Sequence, residues 1–212
     1  MKPVKIAYPL LLLALLAPAT ASAQTPPPGE RAAARAYADA AGRFTDAIEA
    51  PTERFFAFID HPLRRAPGCP RIAKRRRQDA LIISVINQSL EFARDVKPAT
   101  RALRSELADV ATADPVLISG RAAWRANGRG IERAPAPADL CAKLAAWRRA
   151  GYPRATVRQT IRDFESLGEP GDSVGRKLEA AADRMVELGV PREEARLFAN
   201  PYRDPESLLD GS

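Results

Sequence analysis

Gln78 to Val110 reads QDALIISVINQSLEFARDVKPATRALRSELADV, the only long stretch apolar enough to lie at the centre of a folded protein. Apolar or small residues recur at Ile82, Ile86, Leu90, Ala93, Val96, Thr100, Leu103, Leu107 and Val110. Steps of three and four put such side chains on one helical face, so the spacing predicts a core helix. Leu81, Ile83 and Val85 add apolar surface on other faces, which predicts that Leu81 to Ile86 is covered by more than one neighbour. Leu81, Ile82, Val85 and Ile86 are therefore the positions expected to tolerate replacement least. Pro98 has no N–H for the carbonyl of Arg94, but the periodicity resumes in phase beyond it, so a bend is expected and not an end.

On the N-terminal side, Tyr37, Ala41, Phe44, Ile48, Phe55 and Ile59 keep one phase across Pro51. Residues 30–60 are thus one kinked helix or two nearly collinear ones, the second capped by Thr52. The segment HPLRRAPGCP, His61 to Pro70, breaks the pattern, and the simplest packing of two long helices so joined is an antiparallel hairpin over 30–112. On the C-terminal side, Pro115, Pro137, Pro153 and Pro191 stand where a first helical turn tolerates proline, and Gly151, Gly168 and Gly189 where helices stop. Short helices are expected over 115–130, 137–150, 153–167, 172–188 and 191–199. Gly151-Tyr152-Pro153-Arg154 and Gly189-Val190-Pro191-Arg192 echo each other and read as one turn solution used twice. Ala, Arg and Leu are the commonest residues, and only 6% of residues are aromatic, which favours helix over sheet. The expectation is one all-α domain over 30–199: a long kinked helical hairpin with shorter helices packed on it.

The two ends read differently. Residues 1–23 have the form of a secretory signal peptide: Lys2 and Lys5, an apolar run from Ile6 to Ala17, then Ala21-Ser22-Ala23. That run is shorter than the ~20 residues that span a bilayer. Its removal takes two of the 33 basic residues and no acid, leaving 31 against 26 and lowering the net charge from +7 to +5. Residues 24–29, QTPPPG, read as an extended linker, and 200–212 as a polar, proline-broken tail. The expected location is the periplasm, cell wall or medium.

Cys69 and Cys141 are the only cysteines, and a pair in an exported chain reads as one disulfide. Closing so long a loop contributes about 4 kcal/mol in the chain-entropy model. A redox pair would have its cysteines close in sequence. His61 is the only histidine, which removes most zinc sites, a Ser-His-Asp arrangement and a two-histidine iron site; no C-x-x-C-H haem motif occurs, and no metal or cofactor is expected. Glu179, Asp183 and Glu187 recur every four residues, but Arg176, Lys177 and Arg184 share their helix, so the stripe reads as a solvated face. Gly168, Gly171 and Gly175-Arg176-Lys177 miss the phosphate-loop spacing. Trp124 and Trp147 lie in Ala-rich helical patterns and are expected in the core. Phe164-Glu165-Ser166 contains a Glu-Ser dipeptide similar to that of helical lytic transglycosylases, whose glutamate is the catalytic acid. The Gly-Leu-Met-Gln stretch and the later Ala-Tyr-Asn motif of that family are missing, and no catalytic residue is assigned.

The segment between His61 and Arg77 carries Arg64, Arg65, Arg71, Lys74, Arg75, Arg76 and Arg77, with no acid between Asp60 and Asp79. Cations at the start of a helix meet the positive end of its dipole, each costing ~0.3 to 1 kcal/mol, so folding alone does not place them there. Acids such as Glu53 and Asp60 would neutralise them, or an anionic partner would, whether lipid headgroups or cell-wall polymer; export ranks nucleic acid last. The functional expectation is an exported, non-catalytic binding or interaction protein of the cell envelope or extracellular space. A glycan-acting enzyme with an acidic residue, and a purely structural envelope protein, are the alternatives.

Overall fold

The computed structural model describes residues 27–60, 69–165 and 172–201. The readings made for 1–26, His61, Arg64, Arg65, 166–171 and 202–212 lie outside them, as do the side chains of Ile59 and Asp60. Among the described residues the chain is all-helical: α1 Pro28–Asp60, α2 Arg77–Asp109, α3 Pro115–Arg133, α4 Leu140–Arg149, α5 Arg154–Glu165, α6 Asp172–Glu187 and α7 Arg192–Ala199. A single 3-10 turn, Lys74–Arg76, precedes α2.

The two long helices form the expected antiparallel pair. Glu30 accepts hydrogen bonds from Thr112 and from the Ala113 amide, Arg43 pairs with Glu106 at 2.6 Å, and Arg54 pairs with Asp95 at 3.2 Å. Partners thus descend along α2 as they ascend along α1. Tyr37, Ala41, Phe44 and Ile48 are all buried, as their phase predicts, and Phe55 lies half-buried against Phe92, ring centroids 5.2 Å apart. The first helix runs unbroken through Pro51 and starts at Pro28, two residues before the expected boundary, because proline suits a first turn. Thr52 therefore caps nothing; its hydroxyl is buried without a hydrogen-bond partner. The second helix also continues through its proline, Pro98, which sits on the exposed face.

The main core joins α1, the C-terminal half of α2, α3, α6 and α7. Trp124 of α3 is 1% exposed, meets Phe44 and Phe198 edge to face at 5.3 and 6.1 Å, and donates its indole N–H to the Phe198 carbonyl at 3.0 Å. Helices α3 and α6 approach closely at Gly120, where an added Cβ would lie 2.5 Å from that of Ala181. A smaller core joins Ala80 and Ile83 of α2 to Leu144 and Trp147 of α4 and Val157 of α5. The pair α4–α5 stands in sequence between α3 and α6 and packs on the N-terminal part of α2, so α2 is shared by both cores.

That division explains where the periodicity misplaces the first turns of α2. Ile86, Leu90, Ala93, Val96, Thr100, Leu103 and Leu107 are buried as expected. Ile82 is only half-buried, as are Leu81, Val85 and Val110, whereas Ala80, Ile83, Ser84 and Asn87 are buried. The buried stripe rotates there because α4 and α5 cover a different side of α2 than α1 and α3 do. The proline rule is exact only for Pro115, at the first position of α3 behind the Asp114 cap. Pro137 lies three residues ahead of α4, which starts at Leu140 behind Asp139, whose carboxylate accepts the Ala142 amide at 2.6 Å. Cys69 and Cys141 are joined, Cα atoms 4.6 Å apart, tying the chain ahead of α2 to the first turn of α4.

Candidate anion-binding site

The basic segment divides by position. Arg71 is extended and exposed, Lys74 and Arg75 are exposed in the 3-10 turn, Arg76 ends that turn half-buried, and Arg77 opens α2. Arg76 is held on two sides: it pairs with Asp79 at 3.3 Å and its guanidinium lies 6.0 Å from the Tyr152 ring centroid, while its Nε is buried without an acceptor. Arg71, Lys74, Arg75 and Arg77 form no ion pair with a described residue. Among the described residues Glu53 is exposed and pairs with none of these cations, and the described acid that meets the segment is Asp79, on α2 itself.

The fold brings a second set of cations to this one. Arg148, in the last turn of α4, donates to the backbone carbonyl of Arg71 at 3.4 Å, and Arg149 and Arg154 flank the α4–α5 turn, both exposed. The disulfide and this hydrogen bond anchor the segment at two points, Cys69 and Arg71, leaving the following cations outward.

The turn beside Arg76 is the one that the sequence repeats. At Gly151 (φ +76°) the Gly151 amide bonds the Arg148 carbonyl and the Tyr152 amide bonds that of Trp147; at Gly189 (φ +95°) Gly189 bonds Val186 and Val190 bonds Met185. Both are the two-bond helix stop that favours glycine, each with an apolar residue folded back onto the helix it ends. They differ in one respect: Tyr152 itself has a positive φ of 63°, an uncommon state for an aromatic residue, and its ring meets Trp147 edge-on at 4.8 Å. Trp147 donates its indole N–H to the Pro153 carbonyl at 3.1 Å, fixing the platform on which Arg76 rests. Tyr152 was missed in the sequence because only its contact with Arg76, across some 75 positions, joins it to the basic segment.

The remaining candidates fall outside any assembled site. Glu179, Asp183 and Glu187 are exposed, and Glu187 serves as a partner of Arg184 at 2.6 Å. Glu165 is exposed at the last position of α5. Trp124 and Trp147 are core residues as expected, both buried. Glu91 is a carboxyl that the sequence did not single out. Burial pushes it above the ordinary range, and the Asn87 amide donates to it at 3.2 Å. Among the described residues no group of His, Cys, Asp or Glu is arranged to hold a metal ion, and no helix is long and apolar enough to cross a membrane. Comparison with protein-family models, curated proteins and solved structures finds no match.

Proposed function

We propose that the protein is an exported, non-catalytic binding protein of the cell envelope or extracellular space, and that it engages anionic lipid or cell-wall polymer through the basic segment from Arg64 to Arg77. The observation that carries this reading is the set Lys74, Arg75 and Arg77, exposed and without ion pairs among the described residues, gathered at the positive end of a 33-residue helix. Their mutual repulsion and the helix dipole both oppose folding, and an anionic partner relieves both. The disulfide supports export, since such bonds persist in oxidising compartments, and the leader-like first 23 residues point the same way.

The test replaces Lys74, Arg75 and Arg77 with Gln and keeps Arg76, whose contacts with Asp79 and Tyr152 are part of the fold. The variant should melt at the same or a slightly higher temperature, because each cation removed relieves ~0.3 to 1 kcal/mol. It should be retained less on anionic vesicles or anionic cell-wall polymer, with a shallower dependence on salt. Unchanged retention would sink the reading, and so would a clear loss of stability at low salt, which would mean that these cations are paired inside the protein.

A further inference from the structure

Helix α3 carries Arg121, Arg125, Arg129 and Arg133, one every four residues, and a single acid, Glu132. Four residues of helix rise about 6 Å, so these cations form a ladder, and like charges at that spacing repel. Two rungs have structural work. Arg121 donates to the carbonyls of Leu107 and Val110 at 3.2 and 3.0 Å, closing the end of α2, and Arg133 sits in the last turn of α3, where the dipole favours a cation. Arg125 and Arg129 have neither reason. Both are exposed and form no ion pair with a described residue.

The neighbouring edge of α2 repeats the pattern. Lys97 donates to the Glu132 carbonyl at 2.6 Å, and Arg104 lies against Gly128 and pairs with the Glu132 carboxylate, so 97–110 and 121–133 run antiparallel, side by side. Arg101 stands four residues after Lys97 and three before Arg104, hence on the same side of α2, and it too is exposed and unpaired among the described residues. Among the described residues Glu132 is the one acid that forms an ion pair across this seam, and Arg104 occupies it. Across the opposite seam of α2 the arrangement is reversed: Arg43 and Arg54 of α1 each meet a carboxylate of α2, Glu106 and Asp95. One flank of α2 is charge-balanced and the other is left cationic.

From this asymmetry we infer a second anion-binding face along the α2–α3 seam, built of Arg101, Arg125, Arg129 and Arg133, whose ligand is an extended polymer bearing phosphate or sulfate groups. A row of guanidiniums at ~6 Å steps along a helix suits a linear chain of charges, and the forked donors of arginine match phosphate and sulfate oxygens in pairs. The face is separate from the basic segment at the other end of α2, so it stands or falls independently of that reading.

The test compares the full chain with the variants Arg125→Gln/Arg129→Gln/Arg133→Gln and Arg125→Lys/Arg129→Lys/Arg133→Lys on immobilised polyphosphate, a sulfated polysaccharide and polyglutamate, across a salt series. The glutamine variant should elute earlier from one or both of the first two matrices, with a log–log salt slope shallower by about two, since up to three counterion exchanges are lost. The lysine variant should recover most of the slope. Preference for polyphosphate or for the sulfated matrix identifies which oxyanion the face takes. Elution of the glutamine variant identical to that of the unmodified chain overturns the inference, whatever the Lys74/Arg75/Arg77 variant does. A change confined to polyglutamate overturns it in favour of an acidic protein partner. Melting temperatures confirm folding; if the glutamine variant does not fold, single replacement of the exposed Arg129 by Gln, with a slope change below one, is read in the same way.

Discussion

Asn87 and Ala138 exchange two hydrogen bonds, the Asn87 amide donating to the Ala138 carbonyl at 2.9 Å and the Ala138 amide donating back to Asn87 Oδ1 at 3.3 Å. A side chain on α2 thus pairs with the loop before α4 as a neighbouring strand would, and the same amide reaches Glu91 at 3.2 Å. Asn87 is 1% exposed, so its groups have no water to fall back on. Asn87→Ala should lower stability by about 1 to 2 kcal/mol, and Asn87→Asp by more, because the added carboxylate faces the Ala138 carbonyl and the Glu91 carboxyl without a proton to give. Denaturant melts check the order; an aspartate variant more stable than the alanine one would contradict this pairing.

The two cores make a sharp distinction between adjacent residues. Ile83 is fully buried between α2, α4 and α5, while Leu81 is half-exposed. Ile83→Ala should cost about 2 to 5 kcal/mol, and Leu81→Ala well under half as much. Equal losses in urea melts would mean that the buried stripe does not turn at this point.

That turn also marks what the sequence could and could not reveal. From Ile86 to Leu107 the buried apolar side chains keep a single phase, so the sequence names them. Ahead of Ile86 the partner changes to α4 and α5, and Leu81, Ile82, Ile83 and Val85 are all apolar, so composition alone cannot say which faces inward. Asn87 escaped because a polar residue on a helix reads as solvated until its partner, 51 positions away, is known. The arginines of α3 are plainly spaced in the sequence. What periodicity could not supply is the flank of α2 beside them, where Glu132 is the one described acid that forms an ion pair across the seam and is already taken by Arg104.

Two glycines on α3 should respond unequally to alanine. At Gly120 the new Cβ would stand 2.5 Å from the Ala181 Cβ and 3.1 Å from the Phe198 ring, both fixed in the core, so α3 and α6 must separate at a cost of about 1 to 3 kcal/mol. At Gly128 the tightest neighbour is Arg104 Cδ at 2.7 Å, a side chain able to swing outward, with Thr100 Cγ2 at 3.0 Å. Alanine there gains up to about 1 kcal/mol of helix propensity, which offsets much of the crowding. Thermal melts of both variants should show Gly120→Ala clearly lower and Gly128→Ala within about 1 kcal/mol of the parent.

The cross-link should be worth most of what loop closure allows. Cys69 and Cys141 are 72 residues apart, which corresponds to about 4 kcal/mol in the chain-entropy model. Protein from an oxidising compartment should show no titratable thiol, and reduction should lower its melting temperature. Two reactive thiols in the unreduced native protein would refute the bridge.

Acid should weaken the fold through three carboxylates that tie helix ends and helix pairs together. Bonds from Thr112 and the Ala113 amide hold Glu30 below the usual carboxylate range. Burial pushes Asp114 and Asp95 upward, but arginine outweighs it in both: Arg184, aided by the Leu117 and Val116 amides, lowers Asp114, and Arg94 and Arg54 lower Asp95. A carboxyl lowered in the folded state lends stability above its unfolded value, near 4, and loses it as pH falls through the folded value. Glu91, raised by burial, works in the opposite sense and is relieved on protonation. Protonation of Glu30, Asp95 and Asp114 should therefore weaken the ties they make as pH falls below about 4. Asp114→Asn isolates one of the three: the amide oxygen still accepts the Val116 and Leu117 amides and caps α3, but the amide nitrogen that replaces Oδ2 is a donor and cannot accept the 2.7 Å bond from Arg184. At pH 7 this variant should be less stable than the parent, and the gap should narrow toward pH 2, where the parent's Asp114 is protonated as well. A gap that stays constant with pH would mean that Asp114 stabilises the protein as a cap alone, with nothing gained from its charge.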